Sequence, residues 1–113
     1  MSQITTHILD TTRGLPAQNV PISLYVQQGD GWQELGSGVT NEDGRLPGLL
    51  AADVKLPAGI YRMHFHTSDY FKANKETGFY PYVEIVFELD GNGAHYHIPL
   101  LLTAFGYSTY RGS

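Results

Sequence analysis

Two His-x-His pairs, His64-Phe65-His66 and His95-Tyr96-His97, a further histidine at position 7 and an ending that reads Tyr110-Arg111-Gly112-Ser113 are the parts of this sequence best suited to chemistry. Residues two apart on a strand point the same way, so either pair can offer two imidazoles to zinc. The chain has no cysteine, so a third ligand would have to be an Asp, a Glu or His7. Without a metal, the same imidazoles can move protons near neutral pH. Arg45, after the turn Asn41-Glu42-Asp43-Gly44, brings fixed planar donors suited to an oxyanion or a carbonyl-rich ligand, provided it projects into the same cleft. Two imidazoles, one guanidinium and a hydroxyl fit metal-free hydration of a polarised carbonyl. The ending can place a guanidinium, the Ser113 hydroxyl and a carboxylate close together. There is no Gly-x-Ser-x-Gly elbow and no glycine pattern that would cradle a phosphate.

Composition narrows the classes. The 113 residues suit one domain, 1–113, with a real core. Charged residues make up only 16% of the chain, which leaves surface for subunits to cover. A net charge of −4 provides no basic footprint, so no nucleic-acid partner is expected. No apolar run is long enough to span a bilayer and no signal-peptide core is present, so the expectation is no membrane and a cytoplasmic location. A processed periplasmic form would read the same way.

Aromatic and β-branched runs separated by Gly, Asn, Asp and Pro predict short strands over Thr5–Asp10, Ile22–Gln27, Trp32–Thr40, Gly59–Thr67, Tyr82–Leu89, Ala94–Leu102 and Phe105–Tyr110. Thr11 to Pro16 reads as a loop. One helix is expected over Asp69–Asn74, capped by Thr67 or Ser68. The resulting fold class is an all-β antiparallel sandwich or barrel. Alternation places Tyr96, Ile98, Leu100 and Leu102 in the core, with His95, His97, Pro99 and Leu101 facing away. In the first strand Thr6 and Ile8 face inward, while Thr5, His7 and Leu9 face outward. An outer face mixing histidine with leucine suits a partner subunit, with the histidines lining the cleft left between subunits. His64 and His66, beside Arg62, read as solvent-facing.

Thr5-Thr6-His7-Ile8-Leu9-Asp10, Gly14-Leu15-Pro16-Ala17, Gly44-Arg45-Leu46, His95-Tyr96-His97-Ile98-Pro99-Leu100-Leu101-Leu102 and the terminal Tyr-Arg-Gly-Ser resemble, in order and over nearly the whole chain, the 5-hydroxyisourate hydrolases. These are the enzyme branch of the transthyretin-like family. The resemblance implies a transthyretin-like antiparallel β-sandwich of two four-stranded sheets with one short helix, assembled as a homotetramer whose active sites lie between dimers. It carries the catalytic roles onto His7, Arg45, His97 and Ser113, and substrate binding onto His7, Arg45, His97, Tyr110 and Arg111. Thr103-Ala104 departs from the family's usual Ser-Pro, at a turn with no assigned chemistry.

The implied activity is opening of the six-membered ring of 5-hydroxyisourate, a small-molecule substrate, in urate breakdown, with no cofactor and no metal. Either His7 or His97 can be the base. A transthyretin-type carrier without turnover is the rival reading. Against it, His7, His97 and Arg45 would be desolvated and unpaired beside an apolar ligand.

Overall fold

A computed structural model describes residues 2–113. Its strands are β1 (Ile4–Thr5), β2 (Ile8–Asp10), β3 (Leu15–Pro16), β4 (Pro21–Gln28), β5 (Gly31–Val39), β6 (Gly59–Phe65), β7 (Val83–Leu89), β8 (Tyr96–His97), β9 (Leu100–Leu102) and β10 (Tyr107–Thr109), with one helix, α1 (Thr67–Ala73). They form two four-stranded sheets, ordered β5-β4-β6-β7 and β10-β9-β2-β3, and a two-stranded pairing of β1 with β8.

Alternation builds the core as the sequence suggests. In β6, Tyr61, Met63 and Phe65 turn inward to full burial. From the facing sheet come Ile8, Leu100 and Leu102, joined by Tyr96 and Ile98 from the β8–β9 segment. Truncating one of these, for example Leu100→Ala, should cost about 2–5 kcal/mol through lost transfer energy and the residual cavity. Thr6 is buried as expected. Pro99, expected on the outer face, is instead buried, with its carbonyl accepting from the Thr109 hydroxyl at 2.6 Å.

Two long strands predicted from pattern are each divided. Thr6-His7 separates β1 from β2, and Ile98-Pro99 separates β8 from β9. Proline has no N–H for a ladder, and the Thr6 hydroxyl donates to the Ile98 carbonyl at 2.6 Å in place of a backbone partner. The register carries across the gap unchanged, with Thr5 opposite His97 and Ile8 opposite Leu100. Both pairings are parallel, the exceptions in an otherwise antiparallel sandwich. Chain segments so far apart in sequence have no hairpin to dictate their direction.

Other differences are local. Leu15-Pro16, read as loop, pairs with Leu9-Asp10 as the edge strand β3, where proline is tolerated. β10 begins at Tyr107, not Phe105, because the Gly106 carbonyl accepts from the Thr103 backbone at 2.9 Å and from its hydroxyl at 3.1 Å, closing a tight turn. β6 stops at Phe65, and α1 starts two residues earlier than expected. His66 occupies the cap position without a side-chain cap bond. The Thr67 hydroxyl is already committed to the Tyr80 carbonyl at 3.3 Å. The helix is anchored by Tyr70, whose hydroxyl donates to buried Asp10 at 2.7 Å. No helix among the described residues is long and apolar enough to cross a membrane.

Candidate functional site

The turn after β5 fixes Arg45. Asn41 Oδ1 accepts from the backbone of Asp43 at 2.9 Å and of Arg45 at 3.1 Å, folding 41–45 back on itself. Gly44 closes the turn at φ +74°, a left-handed conformation, and a Cβ there would stand 2.4 Å from the Ile8 carbonyl oxygen. Only glycine fits both demands. The Ile8 amide donates to the Gly44 carbonyl at 2.8 Å, and His7 and Arg45 form an antiparallel bridge. A basic residue 38 positions along the chain thus lies beside the first-strand histidine.

The chain end is fixed too. Gly112 donates to the His97 carbonyl at 2.7 Å and accepts from the His97 amide at 3.2 Å. A Cβ on Gly112 would meet His97 Cβ at 3.1 Å, so the tail lies flush against that histidine. Beyond it Ser113 enters a cleft of about 390 Å³ lined also by Thr5, Arg45, Leu46, His95 and His97.

Three of the four residues expected to be catalytic, Arg45, His97 and Ser113, therefore line one cleft. His7 adjoins it through Arg45 and lies close enough to His97 for their charges to interact. Tyr110 and Arg111 are placed elsewhere in the protomer. They line a separate apolar cavity of about 210 Å³ with Ile85, Phe87 and Ile98, and the Arg111 guanidinium lies 4.8 Å from the Tyr96 ring centroid.

Electrostatics keep both histidines neutral to lower pH than usual. Burial first, and then Arg45, lower His7 below the ordinary 6.5, with Asp43 partly opposing them. His97 is lowered by burial first, then by Arg45, His7 and His95. Neutral imidazoles beside a guanidinium can accept protons while the cation polarises a carbonyl.

Two participants escaped the sequence reading. Thr5 Oγ1 is hydrogen-bonded to His97 Nδ1 at 2.8 Å and to His95 Nε2 at 3.0 Å. The available signal was Thr5's place on the same outward face as His7. His95, placed by the sequence on the outward face with His97 but given no role beyond a possible metal pair, lines the cleft as well.

His64 lies in the other sheet, on β6, and His66 follows it at the cap of α1; both are half-buried rather than free in solvent. His64 Nδ1 stands 3.0 Å from Glu84 Oε2, and its ring stacks on Tyr82 at 4.8 Å. Arg62 Nε approaches the same Glu84 oxygen at 3.2 Å, without the alignment of a hydrogen bond, and its guanidinium lies over Tyr25 and Trp32. Among the described residues, no group of three or more His, Asp or Glu is arranged to hold a metal ion.

Comparison with known proteins adds to this geometry. The chain is 44% identical to the 5-hydroxyisourate hydrolase of Mus musculus, over 99% of this chain and 96% of the mouse chain. The Klebsiella pneumoniae 5-hydroxyisourate hydrolase superposes with a TM-score of 0.84 at 36% identity, covering 97% of this chain and 98% of that one. Sea bream transthyretin, solved with thyroxine, superposes with a TM-score of 0.91 at 33% identity, covering 98% and 95%. The model of the HIUase/Transthyretin family matches residues 4–112, and the chain belongs to that family.

Proposed function

We propose that this chain, as a single domain over 1–113, hydrolyses 5-hydroxyisourate to 2-oxo-4-hydroxy-4-carboxy-5-ureidoimidazoline, a step of urate degradation. The observation that carries the reading is the meeting of Arg45, His97 and Ser113 in one cleft, with His7 adjoining, in a chain 44% identical to a mouse protein of that name. A water attacks the ring carbonyl, a C–O bond forms, and the amide C–N bond breaks with its electron pair going to nitrogen. One histidine of the His7/His97 pair takes the water's proton and returns it to that nitrogen. We assign the base role to His97, whose Nδ1 is already held by Thr5. Arg45 stabilises charge developing on the carbonyl oxygen, an electrostatic contribution worth roughly 10²–10³ in rate. Ser113 orients the substrate, and Tyr110 and Arg111 complete its binding from an assembled neighbour or by holding the tail.

Assembly follows from the same face. Leu9 and Leu101 are register partners beside the site and remain half-exposed in the protomer. Pairing that face in a homotetramer covers them and encloses the cleft. The likeness to thyroxine-bound transthyretin is a likeness of backbone, which both branches share. The cleft's imidazoles and guanidinium favour a polar, carbonyl-rich substrate over an apolar ligand.

The test is whether the purified protein speeds the ultraviolet decay of 5-hydroxyisourate freshly made by urate oxidase, before and after exhaustive chelation. Acceleration in both is expected. No acceleration, together with stoichiometric thyroxine binding, would replace the enzyme reading with a carrier, and activity restored only by zinc would overturn its metal-free form.

A further inference from the structure

A hydroxyl has one proton and two lone pairs, so Thr5 cannot donate to both of its imidazole partners. Its contacts with His97 Nδ1 at 2.8 Å and His95 Nε2 at 3.0 Å leave two arrangements: Thr5 accepts from both rings, or one histidine donates to it while the other accepts, which makes a directed chain. The parallel register that puts Thr5 directly opposite His97 holds this hydroxyl behind the ring. All three residues line the cleft with Arg45 and Ser113.

We propose that Thr5 is a positioning residue that sets the tautomer of His97 and links it to His95 as a proton relay. The proposal rests on the hydrolytic reading above. At rest, His97 donates Nδ1–H to Thr5 Oγ1, Thr5 donates its own proton to His95 Nε2, and His95 carries its proton on Nδ1. This leaves the lone pair of His97 on Nε2, the nitrogen that no described residue engages, free for the attacking water. As the water oxygen bonds to the carbonyl carbon, its proton goes to Nε2. The Nδ1 proton passes to Thr5, and the Thr5 proton passes to His95 Nε2. His97 is then neutral, and the positive charge rests on His95. When the C–N bond breaks, His97 Nε2–H protonates the departing nitrogen, and the proton on His95 returns through Thr5 to Nδ1. The relay removes a cation from His97, which stands beside Arg45 and His7. His95, two residues before His97 and just ahead of β8, is the only other group hydrogen-bonded to Thr5 Oγ1 among the described residues.

Thr5→Val keeps the branched shape and removes the hydroxyl. It should lower kcat roughly 10- to 100-fold, the order of one proton-transfer contribution, with KM changed less than about twofold. Thr5→Ser should restore most of kcat. His95→Phe should lower kcat similarly, and the Thr5→Val/His95→Phe double variant should lose no more than the more impaired single, as expected of one shared chain. Histidine ring ¹⁵N shifts in the unliganded protein supply a readout without turnover. His97 should show the Nδ1–H tautomer, and Thr5→Val should shift it toward Nε2–H. If Thr5→Val does not fold, His95→Phe and the wild-type ¹⁵N spectrum carry the test. Unchanged kcat, an effect on KM alone, additive losses, or wild-type His97 protonated on Nε2 would each overturn the relay. Absence of hydrolysis with the tautomer as expected would instead count against the substrate reading, while the hydrogen-bonded chain stood.

Discussion

Gly112 and His97 exchange two backbone hydrogen bonds, at 2.7 and 3.2 Å, so the tail is paired to the histidine proposed as the base. A methyl group at position 112 would come within 3.1–3.3 Å of His97 Cβ, Cδ2 and carbonyl oxygen. Gly112→Ala is therefore expected to displace either the tail or the ring. Turnover should fall at least about tenfold, since small misplacements in a site cost on that order or more, while the melting temperature changes little. Removing residues 110–113 should abolish turnover and leave a folded protein, because the core side chains all precede them. A folded truncation with full activity would remove the tail from the site.

His7→Ala and His97→Ala should each reduce turnover by roughly two to four orders of magnitude. His64→Ala should leave it nearly unchanged, since His64 contacts Glu84 and Tyr82 in the opposite sheet. Steady-state kinetics of the three variants check this, and equal losses in all three would show that the active face has been misassigned.

Both site histidines are held below their ordinary value by burial and then by Arg45. The base form should thus persist below pH 6.5, and the acid limb of kcat/KM should lie on the acidic side of an unperturbed histidine. Arg45→Gln removes a cation that lowers both values, so the limb should move to higher pH while the maximal rate falls. Linkage has the same sign. Unfolded histidines bind protons at higher pH than these folded ones, so stability is fully present above about 6.5 and declines as pH falls through the lowered values. A pH–rate profile and a pH series of thermal melts check both, and an acid limb that moved downward in Arg45→Gln would contradict the assignment.

Leu101→Glu, on the half-exposed face beside Leu9, should break assembly without disturbing the core, because its neighbours Leu100 and Leu102 turn inward. Sedimentation should show the wild type as a tetramer and the variant as smaller species with much reduced turnover. A fully active, concentration-independent wild-type monomer would contradict the role given to this face.

Much of this was local information. Period-2 alternation placed Ile8, Leu100 and Leu102 inside and His7, His97 and Leu101 outside, because successive side chains on a strand leave opposite faces whatever the strand pairs with. Glycine in Asn41-Glu42-Asp43-Gly44 marked the turn before Arg45, and the motif order resembled a known family over almost the whole chain. Tertiary structure decided what those faces meet. Strand pattern specifies a face but no neighbour, so nothing near Thr5 announced a parallel partner 92 residues away. The hydroxyl's place between His95 and His97 existed only once that register was set. The same reason divided the two long strands at Thr6-His7 and Ile98-Pro99, made an edge strand of Leu15-Pro16, and buried Pro99. It also separated Tyr110 and Arg111 from the cleft that Ser113 enters, since a tail's position depends on what it packs against: Tyr110 and Arg111 lie with Ile85 and Phe87, while Gly112 bridges His97 and Ser113 follows into the cleft.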